Sequence, residues 1–262
     1  MHGGGSVGTA GARHATKLAW ALALTATYMI AEVIGGLVTG SLALLADAAH
    51  MLTDVGGLAL ALLAIRFAAR EATPQRTFGY LRMEVLSALA NAVVLLLLTV
   101  YILYEAYQRF LTPPEVLSGP MLVVAAIGLA VNLVSMRLLS SGSSESLNVK
   151  GAYFEVLSDM LGSIGVIVAA LLMMWKGWAL ADPIIGAGIG LFIVPRTWSL
   201  LSQVTHILME GTPPNVDTGA IEKKLLGIPG TVAVHDLHVW SVTSGFDAMS
   251  GHLVVADLSS GR

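Results

Sequence analysis

Asp47, His50 and Asp54 lie in the stretch DAAHMLTD, inside a run of Ala, Leu and Gly long enough to cross a bilayer. Ionisable side chains are expensive in such a run, so their presence points to a task. On a helix these positions are related by i, i+3 and i+7 and share one face. His50 and Asp54 are i, i+4 neighbours. A second apolar run repeats the spacing: in YFEVLSDMLGS, Glu155 and Asp159 are again four apart. Two such helices packed face to face present one imidazole and three carboxylates at similar depth. Four donors is the number a tetrahedral divalent-cation site uses. Three carboxylates converging in low dielectric repel one another and need a cation, protons or both. Plain hydrogen bonding between helices is the competing reading. It suits isolated acids such as Glu32 and Glu84 better than two spaced pairs. Gly56, Gly57, Gly162 and Gly165 beside the pairs permit close helix approach.

The rest of the chain must carry these pairs through a membrane. Charged residues are 12% of 262 and hydrophobic residues 55%, against roughly 25% charged in soluble domains. This is the profile of an integral membrane protein. The net charge of −3 argues against nucleic acid as a partner. With no cysteine, disulfides and thiolate metal sites are excluded, and ligands must come from His, Asp, Glu or backbone oxygen.

Six apolar stretches, near 17–39, 42–67, 83–108, 117–139, 149–175 and 179–203, each approach the roughly 20 residues that span hydrocarbon. Helices are expected, because a span must satisfy its own backbone polar groups. Polar breaks separate them, among them AREATPQRT at 69–77 and SSGSSES at 140–146. Twelve of the 14 Lys and Arg flank one side, counting Arg196 as a charge in the last turns of span 6. Only Arg109 and Lys176 fall on the other, which predicts both termini in the cytoplasm. Three regions are expected: a disordered cytoplasmic tail over 1–16, a six-helix transport domain over 17–207 and a cytoplasmic α+β domain over 208–262. His2 and His14 in the tail read as solvated residues with at most loose metal affinity. The last region reads as a helix near 217–227, a turn at Pro229-Gly230, a strand near 231–242, a turn at Ser244-Gly245 and a strand near 246–257. A single hairpin with one helix is a thin domain, so the sequence reads as truncated in mid-domain. His235 and His238, three apart on a strand, face opposite sides unless a bulge intervenes. His235 and His252 can sit side by side on antiparallel neighbours.

Four stretches together resemble the cation diffusion facilitators, which exchange divalent metal for protons: SLALLADAAHMLTD, RTFGYLRMEVLSALANA, SLNVKGAYFEVLSDMLGSIGVI, and HILMEGTP followed by GIPGTVAVHDLHVWSVTSG. The resemblance covers essentially everything after the tail. It implies that His50, Asp54, Glu155 and Asp159 hold the transported ion. It further implies that Asp47, Glu32, Asn91 and Asn132 are pore or surrounding residues, Asp47 at an entry or outer position. The C-terminal part then resembles the family's ferredoxin-like, metallochaperone-like domain, which dimerises and binds regulatory metal through His235 and His252. His206 and His238 read as structural or surface residues. Glu155 departs from the commonest zinc pattern, which has His there. The resulting set of one His and three carboxylates is harder than one with two of each. It leaves Zn2+, Co2+ and Cd2+ as substrates and disfavours copper(I). Its excess negative charge favours a retained proton or an outer cationic or hydrogen-bonding partner.

The implied activity is efflux of cytoplasmic Zn2+, or Co2+ or Cd2+, against protons by alternating access. No organic cofactor and no enzymatic step are expected. The setting implied by the resemblance is a bacterial inner membrane, with a homodimer as the working form. Two other classes fit less well. A passive divalent cation channel uses rings of weak ligands rather than a four-donor cage. An intramembrane metal-dependent hydrolase wants a motif such as HExxH, which the sequence lacks.

Overall fold

The structure is a computed structural model and describes residues 10–68, 70–140, 147–243 and 245–256. Six long helices run in order: α1 (Ala10–Thr39), α2 (Leu42–Ala68), α3 (Met83–Leu111), α4 (Ser118–Ser140), α5 (Leu147–Lys176) and α6 (Ala181–Leu208). A short helix α7 (Thr218–Leu226) and two strands, β1 (Thr231–Thr243) and β2 (Phe246–Val255), follow. Among the described residues, α1 from Ala19 and α3 to α6 are long and apolar enough to cross a membrane. Their outward surfaces carry large apolar side chains, as at Leu97, Val123 and Phe192. Trp175 and Trp178, exposed where α5 ends, suit the level of lipid headgroups.

One expectation needs correction. Residues 10–16, read as part of a disordered tail, are helical and extend α1 to Ala10. The Ala-rich AGARHATK has enough helix propensity to continue an established helix. Residues 1–9, most of SSGSSES and Ser244 lie outside the described residues.

By contact the chain divides into two compact units, a division that differs from the expected cut at 207. One holds residues to Gly56 and Val94–Thr197; the other holds Gly57–Val93 and the chain from Trp198. In the first, α4 packs between α1 and α5. Its core is made of small side chains, with Ala43 and Leu44 of α2 and Ala125 of α4 meeting Val166, Ala169 and Ala170 of α5. Without a hydrophobic driving force between helices in lipid, close contact of small residues is what holds them.

The start of α2 is tied down from another helix. Asp182, at the start of α6 and fully buried, accepts hydrogen bonds from Ser41 Oγ (2.6 Å), Leu42 N (2.8 Å) and Ala43 N (3.1 Å). It thus supplies the cap that the orphan amides of a helix N-terminus require. Arg109 of α3 pairs with Asp182 at 3.4 Å, with Glu105 at 3.0 Å, and donates to the carbonyl of Gly40. Gly40 has φ 72°, a left-handed backbone that ends α1 and is cheap only for glycine.

In the second unit, Arg82 pairs with Glu210 at 2.7 Å. Thr243 Oγ1 donates to Glu84 at 2.6 Å. Glu84 is therefore a hydrogen-bonding residue at the start of α3. Asp217 caps α7 by accepting from Ala220 N at 3.1 Å. The strands pair antiparallel with His235 opposite His252.

Candidate functional site

Helices α2 and α5 bring two of the spaced pairs into contact. His50 Nε2 lies 3.9 Å from Asp54 Oδ2 and 3.9 Å from Asp159 Oδ1. One ligand atom from each of His50, Asp54 and Asp159 falls within 4.8 Å of the others. His50 and Asp159 are buried and Asp54 is half-buried. Neither ring nitrogen of His50 has a hydrogen-bond partner, and Asp54 Oδ2 and Asp159 Oδ1 also have none. Buried polar atoms are normally paired, so three unsatisfied atoms brought together, His50 Nε2, Asp54 Oδ2 and Asp159 Oδ1, describe a place for a cation.

Glu155 stands beside this trio, outside the group of ligand atoms that lie within 4.8 Å of one another. Its carboxylate accepts a hydrogen bond from Arg196 Nη1 of α6, and Arg196 Nη2 lies 3.6 Å from Asp54 Oδ1. Arg196 was counted as a flanking charge, which the structure corrects: it lies just past the midpoint of α6. The acids that partner it are on α2 and α5, so no local spacing in the sequence reveals the pairing.

Asp47 lies one turn before His50, fully buried, with Oδ2 unpaired. With His50, Ser158 and Gly162 it lines a cavity of about 300 Å³ between α2, α5 and α6. Glu32 is also fully buried. Tyr28 OH donates to its Oε1 at 2.6 Å, while Oε2 is unpaired. Asn132 Nδ2 reaches Ser163 Oγ at 3.4 Å. Glycines make room for both buried acids. A Cβ at Gly162 would meet the carboxylate of Asp47, and one at Gly128 would meet the hydroxyl of Tyr28. Asn91 lies in the other unit, against Gly57.

A second cluster lies on the hairpin. Between His235 and His238 the strand β1 takes three steps while β2 takes two, from His252 to Ser250. This is a β-bulge. Asp236, the residue after His235, has φ 53°. The bulge carries its side chain to the same side as His235. Asp236 Oδ2 lies 3.0 Å from His235 Nδ1 and 3.2 Å from His252 Nδ1. The imidazole rings are 5.2 Å apart. The neighbouring His235, then His252, hold the Asp236 carboxyl below its usual range. All three are exposed and their ligand atoms lie within 4.8 Å of one another. The alternation of a regular strand would have sent Asp236 to the opposite face, which is why sequence reasoning passed over it. His238 pairs with Ser250 outside this cluster, and His206 bonds the carbonyl of Thr212 at 2.9 Å.

Comparison with known proteins gives this geometry a setting. Residues 18–209 match the cation efflux transmembrane domain and residues 213–262 match the cation efflux protein cytoplasmic domain. The metal cation efflux system protein CzcD of Cupriavidus metallidurans is 54% identical over 234 residues, covering 89% of this chain and 74% of that protein. The cadmium, cobalt and zinc/H(+)-K(+) antiporter of Bacillus subtilis is 46% identical over 232 residues, 88% of this chain and 75% of the relative. The zinc transporter ZitB of Escherichia coli is 44% identical over 231 residues, 87% and 74% respectively. An integral membrane chain of this similarity, with a cytoplasmic domain after its apolar helices, belongs to the cation diffusion facilitators, a family of cation efflux transporters.

Proposed function

We propose that this divalent cation efflux transporter carries Zn2+, with Co2+ and Cd2+ as further substrates, out of the cytoplasm in exchange for protons. The observation that carries the reading is the convergence of unsatisfied donor atoms from His50, Asp54 and Asp159. Glu155 is the fourth donor and Asp47 an entry or outer residue. Names of relatives that include zinc, cobalt, cadmium and protons support the choice of ions. Binding requires deprotonated ligands, so metal arriving from the cytoplasm displaces protons. Protons from the opposite, more acidic side compete for the same ligands and release it. In this reading α2 completes a set of six spans, with both termini in the cytoplasm of a bacterial inner membrane. The C-terminal part is ferredoxin-like. It supports a homodimer and binds a regulatory ion through His235, His252 and Asp236.

Proteoliposomes test this directly. Zn2+ uptake is expected only with a pH difference across the membrane, and Asp54→Asn, which keeps shape but removes charge, is expected to abolish it while the protein stays inserted. Zn2+ flux that runs undiminished without a proton gradient would make the protein a channel. Full flux in Asp54→Asn would remove that residue from the site.

A further inference from the structure

Arg196 does not fit a four-ligand metal site taken alone. A guanidinium past the midpoint of a membrane helix is costly unless it finds partners, and here it takes the carboxylates of Glu155 and Asp54. Those are two of the groups an arriving ion would use. Charge explains why such a competitor is useful. Asp54, Glu155 and Asp159 together carry −3, so a divalent ion leaves −1, and the +1 of Arg196 brings the sum to zero. Position allows movement. Arg196 follows Pro195 inside α6, and proline cannot donate to the carbonyl four residues earlier, so the helix is loosened at that turn.

We propose that Arg196 is a tethered cation of the transport site, competing with the divalent ion for Glu155 and Asp54 and setting how readily the ion is let go. The inference rests on the transport-site reading above. Arg196 yields Glu155 to an arriving ion and takes it back as the ion leaves. Its fixed charge keeps the three acids from holding the ion too tightly for transport. Glu155 then has two partners, and its departure from the commonest zinc pattern is matched by a cation on the facing helix.

The test uses the full chain in lipid nanodiscs with His235 and His252 both replaced by Ala, so that the hairpin contributes no binding. Co2+ is titrated by its visible absorption and Zn2+ by displacement of Co2+; Zn2+ flux is then measured in vesicles at fixed pH difference. Arg196→Gln is expected to bind both ions at least roughly tenfold more tightly, the effect of removing a unit charge beside the ion even when well screened. Its half-saturating concentration should fall and its maximal flux should fall with it. Arg196→Lys keeps the charge and should bind within about threefold of the parent, on the same screened-charge argument. Glu155→Gln leaves the guanidinium to Asp54 alone and should bind weakly, whereas Glu155→Gln combined with Arg196→Gln should recover the parent affinity. A merely structural role for Arg196 does not produce that recovery, since removing it would then only weaken binding further. Arg196→Met serves where Arg196→Gln fails to fold. Unchanged or weaker binding in a folded, uncharged Arg196 variant overturns the proposal. His50→Ala separates it from its foundation: full Co2+ affinity in that variant overturns the transport-site reading itself, whatever Arg196 does.

Discussion

Gly162 matters for the side chain it lacks. The carboxylate of Asp47 occupies the place its Cβ would take, and Asp47 is fully buried. Gly162→Ala is expected to displace Asp47 and cut transport about tenfold or more, since small misplacements at a site are costly. Flux assays on inserted protein check this, and wild-type rates would show that the position of Asp47 is immaterial. At the hairpin, acid is the probe. The Asp236 carboxyl is held below its usual range by His235 and then His252. A depressed carboxyl stabilises the fold above its unfolded value and loses that contribution as pH falls through its folded one. A carboxyl-carbon shift titration of the full chain should therefore give Asp236 a midpoint below about 3.9, and His235→Ala should move it upward. An unmoved midpoint would dissolve the pairing. The i, i+4 spacing made the meeting of His50, Asp54 and Asp159 legible, because such pairs in apolar runs are local facts. Arg196 and Asp236 were not, since one is defined by partners on other helices and the other by a bulge.

At the scale of elements, apolar length predicted the helices well: α2 runs Leu42–Ala68 and α4 Ser118–Ser140 against expected 42–67 and 117–139. Termini were less legible. The start of α1 lies in polar, Ala-rich sequence, and α6 runs on to Leu208 past the expected end at 203. The cap on α2 was invisible too, because Asp182 comes from the start of α6. That cap carries a prediction. Asp182→Ala leaves the buried amides of Leu42 and Ala43 without acceptors and Arg109 with Glu105 as its one acidic partner, a loss of roughly 3–5 kcal/mol. The detergent-solubilised variant should melt well below the parent, and Asp182→Asn, which keeps one acceptor oxygen, should fall between. Equal melting temperatures for all three would mean that α2 needs no cap from α6.

At the scale of the whole molecule, the absence of cysteine gives clean reporters of orientation. A single cysteine at Gln75, in the basic connection between α2 and α3, is expected to react with a membrane-impermeant maleimide only from the cytoplasmic side. One at Glu115, between α3 and α4, should react only from the outside. Labelling of both from the same face would break the six-span topology. The division into compact units has a consequence for how the protein can be taken apart. Each of α2, α3 and α6 gives residues to both units, with the borders at Gly56–Gly57, Val93–Val94 and Thr197–Trp198. A single cut after α6 would strip Glu210 and Thr243 of Arg82 and Glu84. Neither unit is a contiguous segment of chain, so separating them would take three breaks, each through the middle of a helix.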